Sequence, residues 1–413
     1  MSVSPNNISI EESQKYSESY RWIVLGVAVT AQTLASVVSQ GMYTLVPFFK
    51  SAFNLTQAQA GLTITAMNGG QILSMVLLGI AMDRYGERGV VTITMIAMGL
   101  TAILAATFST SYYSLMFFLV MIGVWYASVQ PGGTQAIMRW FPPHLRGVAT
   151  GVRQAGLPLG TAMAAIALPW LAVAYDWKIA LYVQGVIGIL GGILFGVFHR
   201  DDIGQLNSNN KAKTSISELV KLLLKQPTCL AVLFAGITMA AFQYTFATHI
   251  LLFLSKQLEI PLVTAAFFFA IAQGVGIAGR ISLAGVSDKL WPGKRMRSLV
   301  WLMIACSGLI CALLLLPVHP PIWIIITLFV FLGLFGIGWY PLWLLQVAEM
   351  APKTAIASTV SFAMTLNLIA ICALPPIFGF IVDMWGYGMA WGLIIVLLLL
   401  SAFRLSRNTT NQQ

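Results

Sequence analysis

Apolar residues run through this chain in long blocks with short polar breaks. Twelve blocks each reach roughly the 20 residues that a helix needs to cross a bilayer. The first six are Trp22–Phe49, Gln57–Met82, Val90–Phe108, Tyr113–Met138, Gly147–Ala174 and Ile179–Phe198. The second six are Thr228–Leu254, Val263–Ser287, Ser298–Leu316, Ile322–Ala348, Ala355–Ile381 and Tyr387–Phe403. The blocks are continuously apolar, whereas strands of a membrane barrel alternate in polarity over about ten residues. Only a helix then satisfies the backbone inside lipid. The breaks carry helix-stopping residues, among them Phe141-Pro142-Pro143, Trp291-Pro292-Gly293 and His319-Pro320-Pro321.

One break differs from the rest. Residues 199–227 are polar and include Lys211, Lys213, Lys221 and Lys225. They divide the chain into a tail at 1–21, a six-helix bundle at 22–198, a linker at 199–227, a second bundle at 228–405 and a tail at 406–413. Ser215–Lys225 reads equally well as a solvated linker or as an amphipathic helix on the membrane surface. A shift of 208 residues brings Ala149 onto Ala357 and Trp177 onto Trp385, while Leu168-Pro169 recurs two residues out of register as Leu374-Pro375. These few matches hint at duplication, and the six-linker-six layout carries that reading better.

Composition agrees. The chain is 58% hydrophobic and 9% charged, against about 25% charged residues in soluble domains. The net charge of +10 does not point to nucleic acid, because the basic residues lie in the breaks. With both termini in the cytoplasm, 18 of the 23 Lys and Arg fall in cytoplasmic segments and three (Lys50, Lys178, Lys256) in outer loops. That asymmetry is the positive-inside signal of a multi-pass protein in the cell's inner (plasma) membrane. Cys229, Cys306, Cys311 and Cys372 lie inside apolar blocks with no metal-ligand spacing. No metal or other cofactor is expected, and no apolar signal core precedes Tyr20.

The second block closes with Gly70, Gly79 and then Asp83-Arg84-Tyr85-Gly86-Glu87-Arg88. This resembles the signature of the major facilitator superfamily, a glycine, eight residues, then G-x-x-x-D-R-x-G-x-R. A degraded copy, Gly279-Arg280 then Gly285-Val286-Ser287-Asp288-Lys289, stands at the equivalent place in the second half. Trp140 to Ala149 resembles the family's connection between helices 4 and 5, and Phe378 to Asp383 the end of its helix 11. The resemblance implies an all-α integral membrane fold of twelve transmembrane helices in two six-helix bundles. It also implies a secondary transporter that works by alternating access, gated on the cytoplasmic side by Gly79, Asp83, Arg84, Gly86, Arg88 and Asp288. Two departures stand out. Leu119 occupies a helix-4 position where many members carry arginine, and Gly156-Leu157-Pro158 breaks the Gly-Pro pair common in drug exporters of the family.

Charged residues deep in membrane helices mark pathways or partners. Arg153 lies roughly 9 Å into the fifth block and Arg280 roughly 12 Å before Asp288, at 1.5 Å per residue. No Asp or Glu lies at comparable depth. Snorkelling to the interface is the simpler alternative, more so for Arg153. Facing a cavity instead, two guanidinium groups without a carboxylate favour an anion. The resemblance points the same way, since Arg280 is similar to the substrate-binding arginine of organic-anion and monocarboxylate-type members. His249 is a candidate for proton coupling, with packing as the commoner role of a lone helix histidine. Gln32, Ser36, Gln40 and Tyr43 share one helical face. Tyr126, Gln130, Gln243, Tyr244 and Tyr340 complete the candidate binding set.

The expected substrate is thus a small organic anion, a carboxylate, moved by proton symport or anion exchange through a monomer, with lipid as its other partner. The alternative is a proton-coupled efflux pump for hydrophobic or cationic compounds, disfavoured by the lack of a deep carboxylate. A membrane enzyme would need a nucleophile set or metal cluster, which the four scattered histidines do not provide.

Overall fold

The computed structural model describes residues 5–55, 57–201, 225–291 and 294–410. Among these residues the chain is helical throughout. Its first helices are α1 (Pro5–Ala52), α2 (Gln57–Tyr85), α3 (Glu87–Phe108), α4 (Tyr112–Tyr126), α5 (Val129–Trp140), α6 (Pro143–Ala174) and α7 (Trp177–Phe198). After the linker come α8 (Pro227–Gln257), α9 (Leu262–Leu290), α10 (Arg295–Leu314), α11 (Ile322–Gly336), α12 (Tyr340–Met350) and α13 (Ile356–Thr410). Residues 215–224 of the amphipathic segment lie outside the described residues.

The thirteen helices of the described residues form twelve spans, and prolines and one glycine explain the difference. Spans 4 and 10 are each split, between α4 and α5 and between α11 and α12. Pro131 and Pro341 stand just inside the second piece of each. A proline lacks the N–H that would bond the carbonyl four residues back. The helix therefore breaks at Ala127–Ser128 and at Ile337–Trp339. Conversely α13 holds two spans in one run, bent at Gly386 with φ +81°, a conformation open to glycine at little cost. The first helix also continues through the polar tail to Pro5. Proline is well placed at a helix start, and the Glu, Gln and Lys that follow are good helix formers.

Contacts divide the chain into two compact units. One comprises 1–149 and 156–211, the other 150–155 and 212–413. In the first, α3 packs on α7, α2 on α4, and α1 on α7. In the second, α8 and α10 pack on α13, and α9 packs on α11. The short 150–155 stretch joins the second unit because Gly151 lies against the backbone of Arg280 and Ile281, where a Cβ would come within 2.5 Å of the Arg280 carbonyl oxygen.

Candidate functional site

The break in span 10 builds the most distinctive site of the second unit. Pro341 cannot donate to Ile337, so the Ile337 carbonyl has no partner in its own helix. The Arg280 Nε–H takes that carbonyl, at 3.4 Å. Gly279 makes the approach possible, since a Cβ there would sit 2.6 Å from the Leu334 carbonyl oxygen and 3.2 Å from Gly338 Cα. The Arg280 guanidinium lies 6.0 Å from the centre of the Tyr340 ring, near the outer limit of cation–π attraction. Tyr244 is its other electrostatic neighbour. Arg280 is only 9% exposed. Among the described residues no carboxylate pairs with it, and its Nη groups make no hydrogen bond. Alongside, Trp339 Nε1–H donates to Gln243 Oε1 at 2.7 Å, which orients that amide.

The other candidates fall in several places. Arg153 is completely buried and belongs to the stretch that groups with the second unit. In the first unit, Gln32 and Ser36 are also completely buried. Gln32 Nε2–H donates to Ser36 Oγ at 3.3 Å and Ser36 Oγ–H to the Gln32 carbonyl at 2.7 Å. Gly156 and Gly160 of α6 press on this face, with a Cβ on Gly160 falling 2.7 Å from Ser36 Cβ. Gln40 is half-buried, and Tyr43 is 41% exposed with its hydroxyl 3.4 Å from Asn68 Oδ1. Tyr126 and Gln130 are buried on either side of the span-4 break. His249 Nε2–H donates to the Pro375 carbonyl, 2.9 Å away, and its ring packs 4.8 Å from that of Phe378. An apolar cavity of about 300 Å³ in the second unit, lined by Leu283, Trp301 and Phe335 among others, involves neither Arg280 nor Tyr340.

The signature turn is a buried charge cluster. Gly86 has φ +85°, which reverses the chain between α2 and α3 in one residue. Asp83 is buried and accepts from Gln135 Nε2–H at 2.9 Å. Glu87, on the first turn of α3, is completely buried and ion-paired with Arg139 at 2.6 Å. His199 Nε2 lies 3.4 Å from the other Glu87 oxygen. Arg88 donates its backbone N–H to Asp201 Oδ1 at 3.0 Å and its Nε–H to the Gly196 carbonyl at 2.7 Å. Arg84 is exposed over the Tyr85 ring, and Gly79 is buried. Burial, with Glu87 nearby, raises the Asp201 carboxyl above the usual range, partly offset by the Arg88 N–H.

Glu87, His199 and Asp201 bring one ligand atom each within 4.8 Å of one another, a spacing a metal ion could bridge. Both carboxylates are already engaged, Glu87 by Arg139 and Asp201 by the Arg88 N–H. The second unit repeats the motif, with Arg295 bonded to Asp288 at 2.6 Å and also to Glu349. Sequence reasoning placed Asp288 here but missed Glu87, Arg139, His199, Asp201, Arg295 and Glu349. These partners come from different spans, so no local spacing links them. The one available signal was an acidic residue on the first turn of a helix, the end that attracts negative charge.

The match to known proteins settles the family. A model described as Major Facilitator Superfamily covers residues 28–375. The chain belongs to the Major Facilitator Superfamily. Superfamily members are membrane transporters and not enzymes, and the twelve spans in two bundles are their fold. The hexuronate transporter of Bacillus subtilis (strain 168) is 25% identical over 250 residues, 59% of this chain and 59% of that protein. The matched region thus spans less than two thirds of that relative. The 4-hydroxybenzoate transporter PcaK of Acinetobacter baylyi is 24% identical over 166 residues, 40% of this chain and 36% of that one. Among solved superfamily structures, the E. coli fucose:proton symporter FucP has the same fold. It aligns at a TM-score of 0.74 and 16% identity, over 93% of this chain and 98% of that one.

Proposed function

We propose that this chain is a secondary transporter whose substrate is a small organic anion recognised through its carboxylate. The observation that carries the reading is Arg280. Its guanidinium is buried, aimed by one bond to the Ile337 carbonyl and by Tyr340, and its Nη groups have no protein partner among the described residues. An arginine inside a membrane costs about 2.5–3.5 kcal/mol by insertion scales. The Ile337 carbonyl offsets only part of that. A carboxylate that takes both Nη groups supplies the rest, through the paired bonds a guanidinium fork is shaped for. Arg153 is the second cation of the proposed site. Gln243, held by Trp339, and Tyr244 supply neutral hydrogen-bonding groups. Relatives named for hexuronate and for 4-hydroxybenzoate, both carboxylates, support the same class.

In this reading transport proceeds by alternating access, driven by proton symport or anion exchange, in a monomer in the plasma membrane with both termini cytoplasmic. Gly79–Arg88 and Asp288 serve as the gating elements. His249, already bonded to a backbone carbonyl, is the weaker candidate for proton coupling. Labelling of a terminal tag from outside sealed cells would overturn the orientation.

The substrate test is binding by the purified protein to D-galacturonate and 4-hydroxybenzoate, against neutral galactose and cationic dyes. Arg280→Lys keeps the charge and loses the planar fork, so carboxylate affinity should fall about tenfold, the equivalent of about 1.4 kcal/mol. Arg280→Ala should lose more. Unchanged carboxylate binding by Arg280→Ala, or binding of cations alone, refutes the anion reading and favours efflux.

A further inference from the structure

Two contacts in the second unit fix the register between α8 and the first span of α13. Near the start of both helices, Cys229 packs against Ala355 in one buried cluster. Twenty residues further on, His249 meets the Pro375 carbonyl at 2.9 Å, a separation of 126 in residue number. The first pair has the same separation, so the two helices run parallel without slipping. On that register Asn367 lies level with Ala241. It sits two residues, about 3 Å at the helical rise, below Gln243, the amide that Trp339 holds.

Asn367 also faces inward. Val360, Ala363, Asn367 and Ala370 are all buried and recur at spacings of three and four, one side of a helix. Phe378, eleven residues and about three turns beyond Asn367, falls on the same side, and its ring packs against His249 of α8. In this apolar stripe of α13, Asn367 is the one polar side chain. It is 2% exposed. Among the described residues neither its Oδ1 nor its Nδ2 has a hydrogen-bond partner. An amide carries two donors and two acceptor lone pairs, and burying them unmet is costly. Leucine has the same four-atom side chain branched at Cγ and would avoid that cost. Single hydroxyls such as Ser361 Oγ and Thr245 Oγ1 are also unmet, but here a whole amide is, and an unmet polar group is where function is to be sought.

We propose that Asn367 reads the substrate, its amide hydrogen-bonding an oxygen of the molecule that Arg280 anchors. This rests on the anion reading above for the identity of the ligand, though not for the role of the amide.

The test uses the full-length protein in detergent, melted alone and with D-galacturonate, 4-hydroxybenzoate or neutral galactose, followed by titration of whichever compound stabilises it. Asn367→Leu removes the unmet amide. Its ligand-free melting temperature should equal or exceed the parent's, while affinity for the stabilising compound should fall about ten- to a hundredfold. Asn367→Ala should lose affinity likewise without adding bulk. Affinity for the stabilising compound unchanged from the parent's in both variants overturns the proposal whatever binds. If Arg280→Ala abolishes carboxylate binding and both Asn367 variants bind as the parent does, the anion reading stands and this inference fails. If the parent instead binds galactose and Asn367→Leu weakens that, the inference stands and the anion reading fails.

Discussion

Replacing Pro341 with alanine tests how the site is built, through a residue that need not touch the substrate. Alanine restores an N–H at the one position from which the Ile337 carbonyl can be bonded within the helix. That carbonyl is the acceptor for Arg280 Nε–H. The two donors then compete for it. A hydrogen bond with a charged partner contributes about 1.5–3 kcal/mol, and 3.4 Å is long for such a bond. The lower figure applies, so loss of the anchor corresponds to roughly a tenfold weaker Kd. Pro341 sits near the start of α12, where proline is tolerated. Stability should therefore change by no more than about 1 kcal/mol either way. The expected outcome is a melting temperature close to the parent's with carboxylate affinity down about tenfold, read by titration in detergent. Affinity within twofold of the parent, in a protein where Arg280→Ala is impaired, would refute the claim that the proline break aims the guanidinium.

Two further predictions concern the charge cluster of the first unit. Glu87→Leu leaves the Arg139 side chain, 2% exposed, without its carboxylate partner and should cost about 3–5 kcal/mol in thermal stability, whereas Glu87→Leu with Arg139→Met should recover most of it, as replaced buried ion pairs generally do; equal losses in the single and double variants would contradict the pairing. Asp83→Asn keeps an oxygen for Gln135 but removes the charge, so expression should hold while turnover in proteoliposomes falls severalfold; normal turnover would count against a gating role.

The sequence made the spans legible because a bilayer demands long apolar runs, and it made the signature turn legible because Gly86 and the charges around it are contiguous. It did not reveal the charge clusters. Glu87 and Arg139 stand 52 residues apart, and Arg295 and Glu349 54 apart, on different spans, where periodicity carries no information. The breaks in spans 4 and 10 were visible in principle, as Pro131 and Pro341 lie inside apolar blocks, but hydropathy averages over a proline and reads each block as one helix. The spacing of Gln32, Ser36, Gln40 and Tyr43 marks a shared face, yet periodicity says nothing of what covers it. Gln32 and Ser36 are sealed under Gly156 and Gly160 of α6, of which the first stood out in the sequence only as a departure from a drug-exporter motif.

The two units solve one packing problem with different side chains, and the difference argues for a functional asymmetry. In the first unit, span 2 approaches span 4 through Gly70 and Gly123, and Ser74 Oγ–H donates to the Val124 carbonyl at 2.8 Å, close to the Pro131 break. In the second, span 8 approaches span 10 through Gly279, and Arg280 donates to the Ile337 carbonyl beside the Pro341 break. A hydroxyl is enough to tie a helix to a carbonyl near a break, as Ser74 demonstrates. It is small, loses little side-chain entropy and carries no charge into the membrane. Arg280 makes a longer bond to the same kind of acceptor at a far greater cost in desolvation. Packing alone therefore does not account for the arginine. Its surplus over serine is a positive charge and four further N–H donors. Those are what an incoming carboxylate uses, and in the second unit they sit at the level where the helix is already broken and the backbone cannot rearrange without disturbing the site.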